Sequence, residues 1–584
     1  MTMNIHTQKT DILILGSGGA GLFAALHAYT KDPELEITVA VKGLLGKCGC
    51  TRMVQGGYNV ALNPGDSLER HYMDTIEGGY WISDQDLAWR LVETAPQRVL
   101  ELENEVGCFF DRNADGSLHG KAFAGQTFDR TIHKGDLTGI EIINRLAEQV
   151  WSRPINRLED HRAVELIPSV DGDRISGVLM IDIRTGKPLF VQAKAVLLGT
   201  GGGPSMYRYH TPSGEKSSDG LAMALRAGLN LRDIEMVQFH PTGLLAGPDT
   251  RLTGTVLEEG LRGAGGHLLN GKGERFMHSY DDRGERATRD VVSRSIFREM
   301  IKGNTTANGG VHISMGHLDH TDVRKKFKGM VNRCADVGAD LVNGLVEVVP
   351  TAHYMMGGIE VSIDCETRMP GLFCAGEDAG GVHGANRLGG NGVANSTVFG
   401  GIAGDVMAEW VGREGTLVEP DETLIRASLE LMETPFNAEA GDLPALRQRL
   451  LDVMWEDAGI IRTHEGLENA YVEVRSIEKA LLETGISTGE RAYNQTWHDW
   501  MNLHSQVSVS IAIIKAAQAR TNSRGAHFRD DYPSKGDLDA TTYTRVRMED
   551  GGMIVTEVPV EFTRVKPGQT LLDEATENMN GDSQ

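Results

Sequence analysis

The apolar run Ile12-Leu-Ile-Leu15 enters a glycine cluster, Gly16-Ser-Gly-Gly-Ala-Gly21, that opens a helix rich in Ala and Leu. Glu36-Ile-Thr-Val-Ala-Val-Lys42 reads as a second strand, so this stretch predicts a strand–helix–strand unit behind a short polar lead, residues 1–10. A loop without hydrophobic periodicity follows as far as Gly57. Residues 66–79 and 84–106 predict helices, the second from Leu87, Ala88, Leu91, Val92, Ala95 and Val99 at helical spacing. An irregular stretch, 109–132, precedes an amphipathic helix that starts at Thr138. Alternation over 161–198 predicts antiparallel strands, 193–203 a buried strand ending in glycines, and 218–228 a helix. From residue 235 the segments turn short and rich in Gly, Arg and His, with 320–346 helical. Strand followed by glycine returns at Gly371-Leu-Phe-Cys-Ala-Gly-Glu-Asp378, so the first domain resumes after an insertion. Helices are expected at 421–433, 444–457, 463–484 and 501–520, then a strand-like run at 553–563 and a polar end expected to be mobile.

A chain of 584 residues is too long for one core and implies two to four domains. Its 81 acids against 58 bases, a net charge of -23, argue against a nucleic-acid partner and fit a cytoplasmic protein. No run is apolar enough to span a membrane, so membrane contact would come only through a partner. Six cysteines form neither a disulfide framework nor an iron–sulfur cluster pattern. Cys48 and Cys50 read either as reduced loop thiols or as a redox or covalent pair beside a cofactor. Glycine, 71 residues or about 12% against an average near 7%, suits backbone lying along an extended cofactor.

Gly16, Gly18 and Gly21 fall on G-x-G-x-x-G, the pattern that seats a pyrophosphate on a helix N-terminus. Lys42 ends the second strand where an NAD enzyme places an acid on the ribose, which favours FAD. Gly201 lies in a second glycine cluster, and Asp219 starts a helix where its charge suits the dipole or a ribose hydroxyl. His240, Arg289, His353 and Arg387 sit in polar, glycine-rich surroundings. Beside a flavin, two guanidiniums and two imidazoles would bind and polarise an anionic substrate. The histidines lack metal-ligand spacing, so no metal is expected.

These residues lie in motifs that resemble the flavoprotein subunit of succinate dehydrogenase and fumarate reductase, a family that includes L-aspartate oxidase. Gln55-Gly-Gly57, Phe123-Ala-Gly-Gln126, Gln238-Phe-His-Pro-Thr-Gly243, Glu259-Gly-Leu-Arg-Gly263, Arg289-Asp-Val-Val292, His353-Tyr-Met-Met-Gly-Gly358, Gly376-Glu377, His383 to Asn391 and Asn522-Ser-Arg-Gly-Ala-His527 match in order, nearly end to end. The resemblance implies an α/β fold: a Rossmann-like FAD-binding domain (1–234 and 352–408), an inserted α+β capping domain (235–351), a helical domain (409–540) and a C-terminal extension (541–584). It implies that Arg289 passes a proton to the substrate, fed by Glu259 with Arg262. His240, Glu258, His353, Arg387, Phe123 and Gln126 would meet the substrate. FAD would be held by Gly16, Gly18, Gly19 and Gly21, by Lys42, Cys50 and Thr51, by Gln55, Gly56 and Gly57, and by Gly201, Asp219, Glu377 and Asn391.

Two departures from the family pattern bear on function. Cys50 stands where family members often link FAD to a histidine, so FAD is expected to be bound non-covalently, a cysteinyl link being the alternative. Glu258 replaces a threonine that helps bind a substrate carboxylate, and a second carboxylate there repels a dicarboxylate. The expected function is interconversion of a saturated acid and its α,β-unsaturated partner, with electrons relayed through an iron–sulfur subunit that could also bring the chain to the inner membrane. The alternative is an oxidase or dehydrogenase of an amino acid or another acid that is not a C4 dicarboxylate.

Overall fold

The structure, a computed structural model, describes residues 5–247, 250 and 252–572. The polar end beyond 572 lies outside the described residues. Strand β1 (His6–Leu15) leads through the glycine turn into α1 (Gly19–Lys31) and β2 (Ile37–Ala40). Later come β3 (Asn156–Leu158), β4 (His161–Pro168), β5 (Ile175–Asp182) and β6 (Lys187–Leu198). The sheet order is β3-β2-β1-β6-β5-β4, and β7 (Leu372–Cys374) also pairs with β6. Pairings through β1 and β2 and of β7 with β6 are parallel, whereas β4, β5 and β6 form an antiparallel meander.

Side chains alternate across β1, so the two faces of the sheet serve different cores. Ile12 and Ile14 pack with Leu22 and Phe23 of α1 and with Val398 and Ile402 of α2 (Asn391–Arg413). Leu13 and Leu15 join the other cluster, which reaches Trp497 and Leu503. A strand buried on both faces is apolar throughout, which is why 12–15 shows no alternation. The polar lead is shorter than its composition suggests, because β1 begins at His6, opposite Leu189.

Between these sheet elements sits a second sheet that places the polar residues of the middle region. In it Val237–Leu244 lies antiparallel to Leu345–Met355, followed by Val311–Ser314 and His267–Leu269. Strand Leu345–Met355 crosses position 351 without a break. The single helix expected over 320–346 is instead two short ones, His320–Lys326 and Lys328–Ala335, and Gly338, with φ +77°, stops any continuation before the strand at Leu345.

Four helices, Glu422–Asn437, Leu443–Glu456, His464–Glu483 and Gln495–Ala519, are each started by a side chain accepting a first-turn N–H: Asp421, Asp442, Thr463 and Asn494. The last begins six residues before the expected start, because Asn494 caps it ahead of the apolar run. The strand-like run near the end, Gly552–Pro559, forms a hairpin with Thr542–Glu549, a strand the sequence pattern did not reveal. Short strands Gly120–Lys121 and Thr131–Ile132 likewise occupy the stretch expected to be irregular.

Helices α1 and α2 cross closely, and glycine makes this possible. A Cβ at Gly400 would lie 2.6 Å from the Ala20 carbonyl oxygen, whereas one at Gly412 meets open space. Gly400→Val is therefore expected to lower stability by about 1–3 kcal/mol. Gly412→Ala, at an open helical position, should instead leave it unchanged or raise it by up to about 1 kcal/mol. Thermal midpoints of the two variants measured side by side check this, and equal midpoints would refute a tight crossing.

Candidate active site

The glycine turn is shaped by contacts that exclude side chains. Gly16 has φ +105°, and a Cβ there would overlap the carbonyl of Gly199, as one on Gly21 would overlap that of Gly16. A Cβ on Gly19 would fall 2.6 Å from Ser396 Oγ. Gly19 N–H donates to Thr51 Oγ1 at 3.1 Å, which ties the 43–57 loop to the start of α1. The bare cradle thus presents backbone N–H groups at a helix N-terminus, as a dinucleotide requires.

Two cavities open beside it. The larger, about 380 Å³, is lined by Gly18, Gly19, Cys50, Thr51, Gln55, Gly56 and Gly57 on one side and by Phe123, His240, Glu258, Glu259, Arg289, His353, Glu377 and Arg387 on the other. The smaller, about 70 Å³, is lined by Gly16, Lys42 and Asp219 among others, and Gly201 borders both. Lys42 Nζ pairs with Asp219 Oδ2 at 2.8 Å, and Arg162 Nη2 with Asp219 Oδ1 at 2.7 Å. Burial lowers Lys42 to about 8; it would raise Asp219, but the two cations overcome it and push that carboxyl far down. Asp219 is therefore a fixed anion at the floor of this cavity.

At the far end of the larger cavity, a bulged strand aims the polar groups. The register of Val237–Leu244 against Leu345–Met355 shifts on both sides of His240, so its ring comes beside that of His353, centroids 5.5 Å apart. Thr242 N–H donates to His240 Nδ1 at 3.3 Å, which leaves Nε2 to carry the proton. His353 Nδ1 lies 2.9 Å from Thr211 Oγ1. Burial, then the charge of Arg289, holds both imidazoles neutral, far below their ordinary range.

Gln238 joins the two guanidiniums. Its Nε2 donates to the Arg387 carbonyl and to Asn386 Oδ1, so the amide orientation is fixed. Its Oε1 accepts from Arg289 Nη1 and from Arg387 Nη2, both at 3.0 Å. Arg289, the first residue of helix Arg289–Ile301, also donates through Nε and Nη2 to Glu259 Oε2 at 3.0 and 2.7 Å. Arg262 Nη2 reaches Glu259 Oε1 at 3.1 Å from behind, outside the cavity lining. Burial would raise Glu259, but Arg289 and Arg262 outweigh it and hold the carboxyl below its usual value. Burial and then Arg289 bring Arg387 down to about 10.

Glu258 does not stand as a bare anion. Its Oε1 pairs with Lys121 Nζ at 2.8 Å; Oε2 is buried and has no hydrogen-bond partner. Burial raises its pKa in spite of Lys121. Burial also pushes the Cys50 thiol up to about 12 and Glu377 to about 7.

Besides Arg262, and Gly21 in the first turn of α1, two expected site residues lie outside the lining of both cavities. Gln126 Nε2 donates to Gly389 O at 2.8 Å and Asn59 Oδ1 at 3.2 Å, while Asn391 accepts from Asn59 Nδ2 at 2.7 Å and donates to Thr75 Oγ1 at 3.1 Å. Neither lines a cavity; both brace the loop that carries Arg387 and Gly390. Gln238, Lys121, Lys216, Tyr354 and Arg333 were missed as site residues. Gln238 could have been found, since it begins the motif that holds His240; Lys121 and Lys216 carry no local signal.

The FAD binding domain family matches residues 11–393, and the fumarate reductase flavoprotein C-terminal family matches 447–571. An uncharacterised FAD-dependent oxidoreductase of Methanocaldococcus jannaschii is 40% identical over 531 residues, covering 90% of this chain and 94% of that protein. A fumarate reductase (CoM/CoB) subunit of Methanothermobacter marburgensis is 38% identical over 541 residues, covering 91% and 96%. A structure of E. coli quinol fumarate reductase aligns with TM-score 0.91 at 31% identity, over 97% of this chain and 99% of that one. The glycine cradle fits FAD, and the chain is an FAD-dependent oxidoreductase. Sheet, cradle and paired guanidiniums agree with these likenesses, and the chain belongs to the succinate dehydrogenase and fumarate reductase flavoprotein family.

Proposed function

We propose that the chain interconverts a C4 dicarboxylate of the succinate type and its α,β-unsaturated partner. The observation that carries this is charge: Arg289, Arg387 and Arg262 are buried with Glu259 as their one paired carboxylate, His240 and His353 are neutral, and Glu258 is matched by Lys121. Two positive charges are left for a dianion to meet. Arg387 and the Nε2–H of His240 hold the carboxylates, with His353 beside them. Arg289 hands a proton to the substrate carbon, and Glu259, in contact with the guanidiniums of Arg289 and Arg262, relays a replacement proton from the Arg262 side as the first one leaves. An arginine can serve because the proton is replaced as it moves, so free neutral arginine, with a pKa above about 12, never accumulates. FAD, when bound, supplies or accepts the hydride.

Relatives named as fumarate reductase flavoprotein subunits support an assembly with other subunits. Among the described residues no group of His, Cys, Asp or Glu could hold a metal, and no helix is long and apolar enough to cross a membrane. In this reading electrons pass through an iron–sulfur partner, and the chain is cytoplasmic, meeting the inner membrane only through that assembly. One observation favours a second reading, an L-aspartate oxidase-like enzyme of an amino or other acid: the unpartnered Glu258 Oε2 would accept from a substrate N–H. The Lys121 ion pair weighs against it.

Fumarate reduction with a reduced dye is expected in the holoprotein. Arg289→Ala should cut turnover by about 10²–10⁴-fold while the protein keeps its flavin, and full activity in that variant would end the proposal. Lys121→Met should raise KM for fumarate about tenfold by unmasking Glu258, and adding Glu258→Gln should restore it. Steady-state kinetics decide this: a KM that stays put for fumarate but falls for an amino acid selects the second reading. The neutral Cys50 thiol is a poor nucleophile, so acid precipitation should release FAD to the supernatant. Colour retained in the pellet would instead show a covalent link.

A further inference from the structure

The two cavities share three lining residues, Gly18, Gly201 and Lys216. Lys42 and Asp219 lie on the smaller side and the Arg289 cluster on the larger, so a dinucleotide that fills both must pass its diphosphate between them. Gly18, the N-cap of α1, brings its backbone N–H and the start of the helix to one wall of this neck. Lys216 stands on another. We infer that the Lys216 ammonium is the chain's charge partner for the FAD diphosphate, an inference that rests on the FAD assignment above.

Three observations point this way. Lys216 Nζ makes one hydrogen bond among the described residues, to the Thr200 carbonyl, and an ammonium has three protons to give. The surrounding carboxylates are engaged elsewhere. Asp378 accepts from Thr200 Oγ1 and Gly201 N–H, both at 2.9 Å; Glu215 accepts from Ser213 Oγ at 2.6 Å and Gly49 N–H at 3.0 Å; Glu377 accepts from Met355 N–H at 3.0 Å. None of them forms an ion pair with Lys216 within 4.0 Å, although they favour its charged state.

The position is also fixed. Glu215 pins the Lys216 loop to Gly49, and the Lys216 carbonyl accepts from Ser205 Oγ at 2.6 Å. Opposite, Gly201 has φ +84°, and a Cβ there would lie 2.9 Å from Nζ, so the ammonium sits directly against the glycine backbone. The ammonium lines the neck through which the two negative charges of a diphosphate would pass.

Titration of apoprotein with FAD and, separately, with riboflavin, which lacks phosphate, tests this. Lys216→Met should weaken FAD by about tenfold to a hundredfold. It should also flatten the salt dependence of FAD binding, leave riboflavin binding unchanged, and be rescued to within about threefold by Lys216→Arg. Unchanged FAD affinity in Lys216→Met, or equal weakening of FAD and riboflavin, would overturn the inference. Lys216→Gln, checked by circular dichroism for native fold, replaces the methionine variant if that one does not fold. Wild-type apoprotein that takes up no FAD would overturn the flavin assignment as well.

Discussion

Keeping like charges together inside a protein is the constraint on which this site depends. Arg289 and Arg387 donate to the same amide oxygen, and buried cations this close repel strongly unless anions offset them. Glu259 pairs with Arg289 and Arg262 but forms no ion pair with Arg387, which burial and its neighbour leave easier to deprotonate than an ordinary arginine. The pocket is therefore short of negative charge. In the proposed reading, binding and catalysis draw on one source: the anion that relieves the repulsion is held where a proton can reach it.

The fold holds that arrangement between two bodies of structure, the large sheet with its glycine turns and the second sheet. The parallel part of the large sheet ends in glycine turns that leave room for a cofactor, and the second sheet brings His240 and His353 over it through a bulge. Gln238 spans the two bodies, since its strand belongs to the second sheet while its amide is oriented by the loop at Asn386 and Arg387. Gln126 and Asn391 brace that loop from behind. Motif residues can thus be fixed by scaffolding as much as by chemistry.

Much of this was legible in the chain because the physics is local. Glycines at 16, 18 and 21 announce a turn that no side chain could enter, and the ordered motifs point to Arg289, Glu259, His353 and Arg387. What escaped notice is what sequence distance hides. Lys121 meets Glu258 across 137 positions, and the pair turns a repulsive carboxylate into a neutral element. The helix from Gln495 is buried around most of its circumference, so its first turn shows no amphipathic stripe. Over 320–346 the polar pattern suits helix, but a glycine turn ends it early, and after the turns at 336–344 only Leu345 and Val346 join the sheet.

The unbroken strand Leu345–Met355 has a geometric consequence. It is paired at one end with Val311–Ser314 and at the other with Val237–Leu244, the strand that carries Gln238 and His240. The same strand carries His353 and Met355, whose amide donates to Glu377. Cover and flavin pocket thus share one continuous run of backbone, which sets the spacing between the imidazoles and Glu377.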